Sequence, residues 1–263
     1  MLLGDKYLGP VGLGVTAPQL FRADDNQVYV VKLQNNRLGV KVLVNEWLGA
    51  QLGQVLKLCF PPSDIIRLEE KIIRGNKLLR AAAVPAGLHF ASRYIRKNRY
   101  VNRSNIKRAL NTADMAGVIL FDHMFHNFDR TWNRKNLLVC HDEIGYQLYA
   151  IDNSHLFSKG KWKAATLAEL SDKITVNRHR AYGVLLKYYL RREHFSKYVA
   201  LIQAIRPEEW QQMVDGIPQE WLPLPEERTS LLQFLYRRQE LVEKIADSIC
   251  ALIPDVHRGT HPH

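Results

Sequence analysis

The sequence predicts an α+β fold in two parts: a small β-rich N-terminal part with one key helix, and a mainly helical C-terminal part. Three observations predict it. Short β-rich runs, VYVVKL (28–33), DIIRL (64–68) and LHFASRYI (88–95), fall early in the chain. The stretch RKNRYVNRSN that follows is polar and basic and reads as a linker, which sets the boundary between 1–95 and 96–263. Beyond Phe157 the pattern is almost wholly helical.

The glycine-rich run GPVGLGVT (9–16) precedes a strand at Leu20–Ala23, a turn at Asp24-Asp25-Asn26 and the strand VYVVKL. Glycines at the head of a hairpin let backbone N–H groups approach phosphates, because no Cβ intervenes. Taken alone, the spacing of Gly9, Gly12 and Gly14 matches neither the Walker A nor the full protein-kinase glycine pattern, and a structural turn is its plainer reading. Lys32 lies in an alternating run with Val31 and Leu33 on the opposite face, so it points into a half-apolar cleft and needs a charge partner. A solvated edge lysine is the plainer reading of the same position. Residues 40–58 form a helical pattern with an apolar stripe of Val44, Trp47, Leu48, Leu52, Val55 and Leu56. Glu46 beside that stripe is either the partner of Lys32 or an exposed helix carboxylate. Pro61-Pro62 ends the helix, and residues 69–82 read as another helix.

A helix is predicted over 112–126, with Asn111 or Thr112 as N-cap. Asp122 lies among its core residues and reads as a buried support for the following loop. His123 and His126 read as helix-surface residues, since no third metal ligand accompanies them. In the loop, Asp129 precedes the run NLLV, which opens at Asn136; a break at His141–Gly145 leads to YQLYAI and Asp152. If these two strands pair antiparallel, Asn136 and Asp152 converge at one end with Asp129 beside them. Converging oxygen side chains suit a hard cation such as magnesium, shared with substrate phosphates. Helices are read near 164–173, 178–204, 207–214 and 225–252. The basic stretch 178–197 reads as a solvated face or a dock for an acidic partner or nucleic acid.

Lysine and arginine number 37 and aspartate and glutamate 26, a net charge of +11 that favours anionic partners. Hydrophobic content of 46% and charged content of 24% fit an ordinary globular protein. No apolar run approaches the roughly 18 residues of a membrane span, and the start MLLGDKYLGP lacks a signal-peptide pattern. Cys59, Cys140 and Cys250 are far apart in apolar surroundings and read as buried thiols of a reducing compartment. The tail HRGTHPH reads as an unstructured terminus.

Taken together, VYVVKL with Lys32, the helix with Glu46, LHFASRYI, HNFDRTWNRKNLLV and AIDNSHLF resemble the HipA-like kinases, compact members of the protein-kinase-like fold. The resemblance covers roughly residues 8–160 by motif. It implies an ATP- and magnesium-dependent phosphotransferase acting on a protein Ser/Thr or a small-molecule hydroxyl, in a bacterial cytoplasm. It implies that Lys32 contacts the ATP phosphates, Glu46 orients Lys32, and Asp129 positions or deprotonates the acceptor hydroxyl. Asn136 and Asp152 hold magnesium, with Asn133 as rival ligand. The loop Gly12–Thr16, with Gly12, Gly14 and Thr16, covers the phosphates, and Ser92 lies on the strand leading to the hinge; Arg130 either joins these cofactor contacts through a phosphate or pairs with Asp152, the structural pairing being the plainer reading. Asp152-Asn153-Ser154 stands where that fold usually has Asp-Phe-Gly, and the basic HLFSKGKWK after it suits an anion. The acceptor implied is an unidentified hydroxyl-bearing molecule, an acidic or RNA-associated protein among them. Two other readings stand beside this one: a nucleotide-binding kinase-like module without turnover, and a basic nucleic-acid-associated protein.

Overall fold

The computed structural model describes residues 1–158 and 161–254. The His-rich tail and two residues of the HLFSKGKWK stretch lie outside the described residues.

Five strands, β1 (Leu2–Pro10), β2 (Gln19–Ala23), β3 (Val28–Lys32), β4 (Ser63–Leu68) and β5 (Gly87–Arg93), close into a barrel in the order β1-β2-β3-β5-β4. Every pairing is antiparallel except the short parallel seam between β1 and β4, where Leu2 faces Ile66. Alternate residues fill the interior: Phe21, Val31, Ile66, Leu68 and Ala91 are all sealed from solvent. Strand β1 was not legible in the sequence, because Gly4, Asp5 and Lys6 carry no β signal. Gly4 belongs there for space, since a Cβ would run into the Leu68 side chain. Asn26 turns the β2–β3 hairpin at φ 61°, a left-handed conformation that asparagine tolerates.

Helix α1 (Lys41–Val55) packs on β4 and β5, outside the barrel. The sequence suggested one apolar stripe; the structure buries the helix nearly all round, while Val55 is exposed. The reason is that α1 lies between the barrel and the helical half. Its apolar side chains join the helical core, and its polar ones bond across the divide. Trp47 Nε1 donates to the Met213 carbonyl at 3.1 Å, Asn45 Nδ2 to the Ser154 carbonyl at 2.9 Å, and Lys41 Nζ to the Trp162 carbonyl at 2.7 Å. Gly49 faces the Asn153 side chain and Gly53 faces Phe60 so closely that a Cβ at either would displace them. The single helix expected over 69–82 is two, α2 (Glu70–Gly75) and α3 (Lys77–Ala81). Asn76 breaks it with an extended backbone, and its side chain accepts from Leu78 N and Leu79 N at 2.9 and 3.2 Å.

The linker is more ordered than a polar stretch suggests. It holds β6 (Asn98–Tyr100) and α4 (Arg103–Ile106), whose N-terminus is closed by a reciprocal Asn102–Asn105 cap. Strand β6 pairs with β7 (Leu137–His141), which pairs with β8 (Tyr146–Ala150), all antiparallel. Before α5 (Met115–Met124) stands a short 3-10 turn, and Asn111 does not cap it. Its side-chain amide bonds the Leu148 backbone in both directions, at 2.7 and 3.0 Å.

The helices α6 (Asp129–Trp132), α7 (Ala164–Ser171), α8 (Arg180–Tyr188), α9 (Arg192–Gln203), α10 (Pro207–Asp215), α11 (Pro225–Glu240) and α12 (Val242–Cys250) complete the chain. The runs 178–204 and 225–252 are thus each divided into two. The cysteines are free, but only Cys250 is buried; Cys59 and Cys140 are partly exposed, which corrects their reading as buried. No helix among the described residues is long and apolar enough to cross a membrane.

His123 and His126 are not surface residues. Both are buried, as is His89. His123 Nδ1 donates to the Ile119 carbonyl at 2.7 Å and its Nε2 accepts from Asn177 N at 3.2 Å, so the ring is held as the neutral tautomer. His89 is bridged likewise between Pro85 O and Gln34 N. Burial pulls all three imidazoles from 6.5 down to about 4. Between those values the unfolded chain binds protons that the folded chain does not. Their contribution to stability is therefore complete above the upper value and falls as pH drops toward the lower. A thermal melting series over this window is expected to show a midpoint that declines with acidity from about pH 6.5 downward; a flat profile would contradict the burial of neutral histidines.

Candidate active site

The site forms where the open end of the barrel meets the β7–β8 hairpin. Strand β2 starts opposite Val31, the neighbour of Lys32, so the β1–β2 loop lies at the Lys32 end of the barrel. Gly12 and Gly14 adopt φ 80° and 97°, which the loop needs and a side chain would resist. Leu13 and Val15 at its tip are exposed, while Thr16 is buried.

Lys32 pairs with Phe90, and Val30 with Ser92, across β3 and β5. Cross-strand partners share a face. Ser92 is therefore on the same outer face as Lys32, and the barrel core lies behind both. Lys32 is 8% exposed and Glu46 4%. The Lys32 ammonium donates to Glu46 Oε1 and, at 2.7 Å, to Asp152 Oδ1. Burial alone would pull the lysine down, but the Asp152 and Glu46 carboxylates hold it above its ordinary value. Burial would raise Asp152, yet Lys32 and the Ser154 donors hold it well below the usual carboxylate range. For Glu46 burial prevails and its pKa is raised. Glu46 Oε1 also accepts from Asn153 N at 3.0 Å, which ties α1 to the residue after Asp152.

Asp129 and Asn136 meet directly: Asn136 Nδ2 donates to Asp129 Oδ2 at 2.7 Å. Asn136 O accepts from Ile151 N at 2.9 Å, so the hairpin ladder continues to the residue before Asp152. The hairpin thus brings Asp129, Asn136 and Asp152 to one end. Asp152 sits at φ 68° there, a strained backbone for an aspartate that the surrounding bonds enforce. Asn133 turns toward the backbone: its Oδ1 accepts from Lys135 N at 3.1 Å and its Nδ2 donates to Asn136 Oδ1 at 3.2 Å. Each of the two amide oxygens thus accepts one hydrogen bond, and Asn136 alone of the pair also bonds Asp129. His155 Nδ1 stands 4.0 Å from Asp129 Oδ2, and Ser154 Oγ donates to Asp152 Oδ1. Neither was singled out from the sequence, although both lie in AIDNSHLF, within three residues of Asp152.

The oxygen donors fit magnesium. Among the described residues Asp152 Oδ2 accepts no hydrogen bond, and no set of three His, Cys, Asp or Glu side chains forms a cage of its own. A cation held by one Asp and one Asn must complete its shell with phosphate oxygens and water, as magnesium does.

Arg130 is a structural support, the plainer of its two readings, and its phosphate contact is corrected: it pairs with Asp122 and reaches Asp152 only at the backbone carbonyl. It is fully buried. Its guanidinium pairs with Asp122 and donates to Asn153 Oδ1 at 2.6 Å, Asp152 O at 3.2 Å and Ile151 O at 3.3 Å. Asp122 also accepts from Tyr182 Oη and, at 3.0 Å, from Asn127 Nδ2. Asp122 thus holds the loop from below, as the sequence suggested. Asn127 Oδ1 is the one buried side-chain nitrogen or oxygen among the described residues without a hydrogen-bond partner.

Solved structures identify the fold. The chain is similar to the Helicobacter pylori proinflammatory kinase CtkA, with TM-score 0.57 and 11% identity over 95% of this chain and 97% of that one. It is also similar to the Golgi casein kinase (TM-score 0.51, 10% identity, 99% and 74% covered) and to hydra Fam20 with sugar (0.50, 13%, 95% and 84%). The fold is therefore kinase-like. Within that class the chain belongs to the HipA-like kinase family, whose model matches residues 7–248. No curated protein sequence matches it.

Removing Arg130 leaves Asp122 buried without its counter-charge, and Arg130→Ala is expected to destabilise the protein by about 3–5 kcal/mol. Urea unfolding checks this; a loss below about 1 kcal/mol would mean that the guanidinium does not hold the loop.

Proposed function

We propose that the protein is a phosphotransferase that moves the γ-phosphoryl group of ATP to a hydroxyl, with residues 1–95 and 96–263 acting as its two lobes. The observation that carries this reading is the buried Lys32–Glu46–Asp152 charge cluster set beside the Asp129–Asn136 pair.

In this reading Lys32 binds the α- and β-phosphates, and Glu46 keeps its ammonium in place. The loop Gly12–Thr16 closes over the phosphates with backbone N–H groups, and Ser92 lines the wall on the Lys32 face. Asn136 and Asp152 hold magnesium, which supplies charge neutralisation on the phosphates. Asp129 accepts the proton of the attacking hydroxyl. Its Oδ2 is fixed by Asn136, while Oδ1 accepts from no group among the described residues and is left for the substrate. Catalysis is then positioning and charge stabilisation. The substrate hydroxyl is that of a protein Ser/Thr or a small molecule in the cytoplasm.

The cluster needs no rearrangement to pair Lys32 with Glu46, because α1 is fixed on both sides. The missing Asp-Phe-Gly is compatible with that: Asn153 bonds Glu46 through its backbone N–H and Arg130 through its side-chain oxygen.

Labelled phosphate transfer from ATP, to the protein itself or to a candidate acceptor, tests the proposal. Asp129→Asn is expected to lower the rate by about 10²–10⁴ while ATP binding stays unchanged. Full activity in Asp129→Asn would remove the assigned base, and an unreactive wild type with every acceptor tried would favour a binding module without turnover.

A further inference from the structure

Two cavities adjoin beside the catalytic loop, each of about 310 Å³, and share Asn102. The first is lined by Lys97, Arg99, Arg108 and His141. The second places Arg103, Arg134 and Arg180 around Val101, Ile106 and Val184. No Asp or Glu lines either cavity. Among the described residues none of these six lysines and arginines bonds a carboxylate, whereas Arg22, Arg74, Arg192 and Arg237 elsewhere on the surface do. A cluster of like charges with no internal counter-charge repels itself unless an anion joins it.

The groove is tied to the site. Arg134 belongs to the turn between Asn133 and Asn136. Trp132, at the end of the helix that Asp129 opens, stacks on His179 at 4.0 Å, next to Arg180. A chain lying in the groove therefore runs alongside the loop that carries Asp129.

We infer that this groove docks an acidic peptide segment with interspersed aliphatic side chains, belonging to the acceptor protein; the link to an acceptor rests on the phosphotransferase reading above. Carboxylates meet the arginines, and aliphatic groups meet the apolar floor of the second cavity. Single-stranded nucleic acid fits less well, because it needs open aromatic faces for its bases. Tyr146 is the one Tyr, Trp or Phe that lines either cavity, and its ring is already covered by the Arg108 guanidinium at 4.1 Å and abutted by His141 at 4.6 Å.

Fluorescence anisotropy on the full chain tests the inference without nucleotide, using a labelled short peptide of alternating Glu and Leu and a labelled oligouridine. The peptide is expected to bind, and more tightly than the oligouridine at equal salt. Charge reversal in each cavity, Arg99→Glu with Arg180→Glu, is expected to weaken it about tenfold with an unchanged melting midpoint. The remote pair Lys71→Glu with Lys77→Glu is expected to leave it unaffected. Equal losses in both double variants, tighter oligouridine binding through the same arginines, or no peptide binding would overturn the assignment. Nucleotide affinity of the groove variant, read separately, stays at the wild-type value, so failure of the groove and failure of the ATP site are told apart.

Discussion

The buried contact of Lys32 with Glu46 and Asp152 is the constraint on which the rest of the structure depends. A lysine on an ordinary strand face would stay in water. Here the barrel core occupies one face of β3, α1 and the hairpin cover the other, and the ammonium is left with 8% exposure. It is tolerable only with two carboxylates at hand. Those carboxylates come from α1 and from just beyond the end of β8, so one cation draws the barrel, its helix and the helical half to a single point. The left-handed backbone at Asp152 and the close approach of Gly49 to Asn153 follow from meeting there.

A second buried network supports the first from behind. Arg130 and Asp122 are both sealed from solvent, and Tyr182 and Asn153 complete their bonds. Arg238 adds another layer. It is buried and donates to the carbonyls of Met124, Ser171, Lys173 and His123, which closes the end of α5 just before the loop. The loop that carries Asp129 is therefore held through backbone carbonyls and one buried ion pair, with little freedom to shift.

Much of this was legible in the sequence, for identifiable reasons. Lys32 stood out because alternation in VYVVKL placed it opposite core residues. Asn136 and Asp152 were legible because strand pairing forces the ends of a hairpin together. The failures have physical causes as well. His123 and His126 looked like surface residues because a polar side chain on a helix is usually solvated; here backbone groups from distant segments satisfy them. Arg130 was read as pairing with Asp152 or a phosphate because its actual counter-charge, Asp122, lies a turn and a loop away and only tertiary packing joins them. The break at Leu241 has no glycine or proline to announce it, and β1 forms only because the barrel needs a strand to close. The basic linker and the basic stretch 178–197 stood out singly, but their union in one groove did not, since its six cations come from the linker, α4 and the turn after it, the loop that carries Asp129, and α8.

The central claim is that Lys32, Asp152 and their neighbours form a nucleotide–metal site. Calorimetric titration of ATP with and without magnesium, on the wild type and on Asp152→Ala, tests it most directly. The account predicts binding that magnesium strengthens in the wild type and leaves unchanged in the variant. Binding indifferent to magnesium in the wild type, or an undiminished magnesium effect in Asp152→Ala, would contradict it.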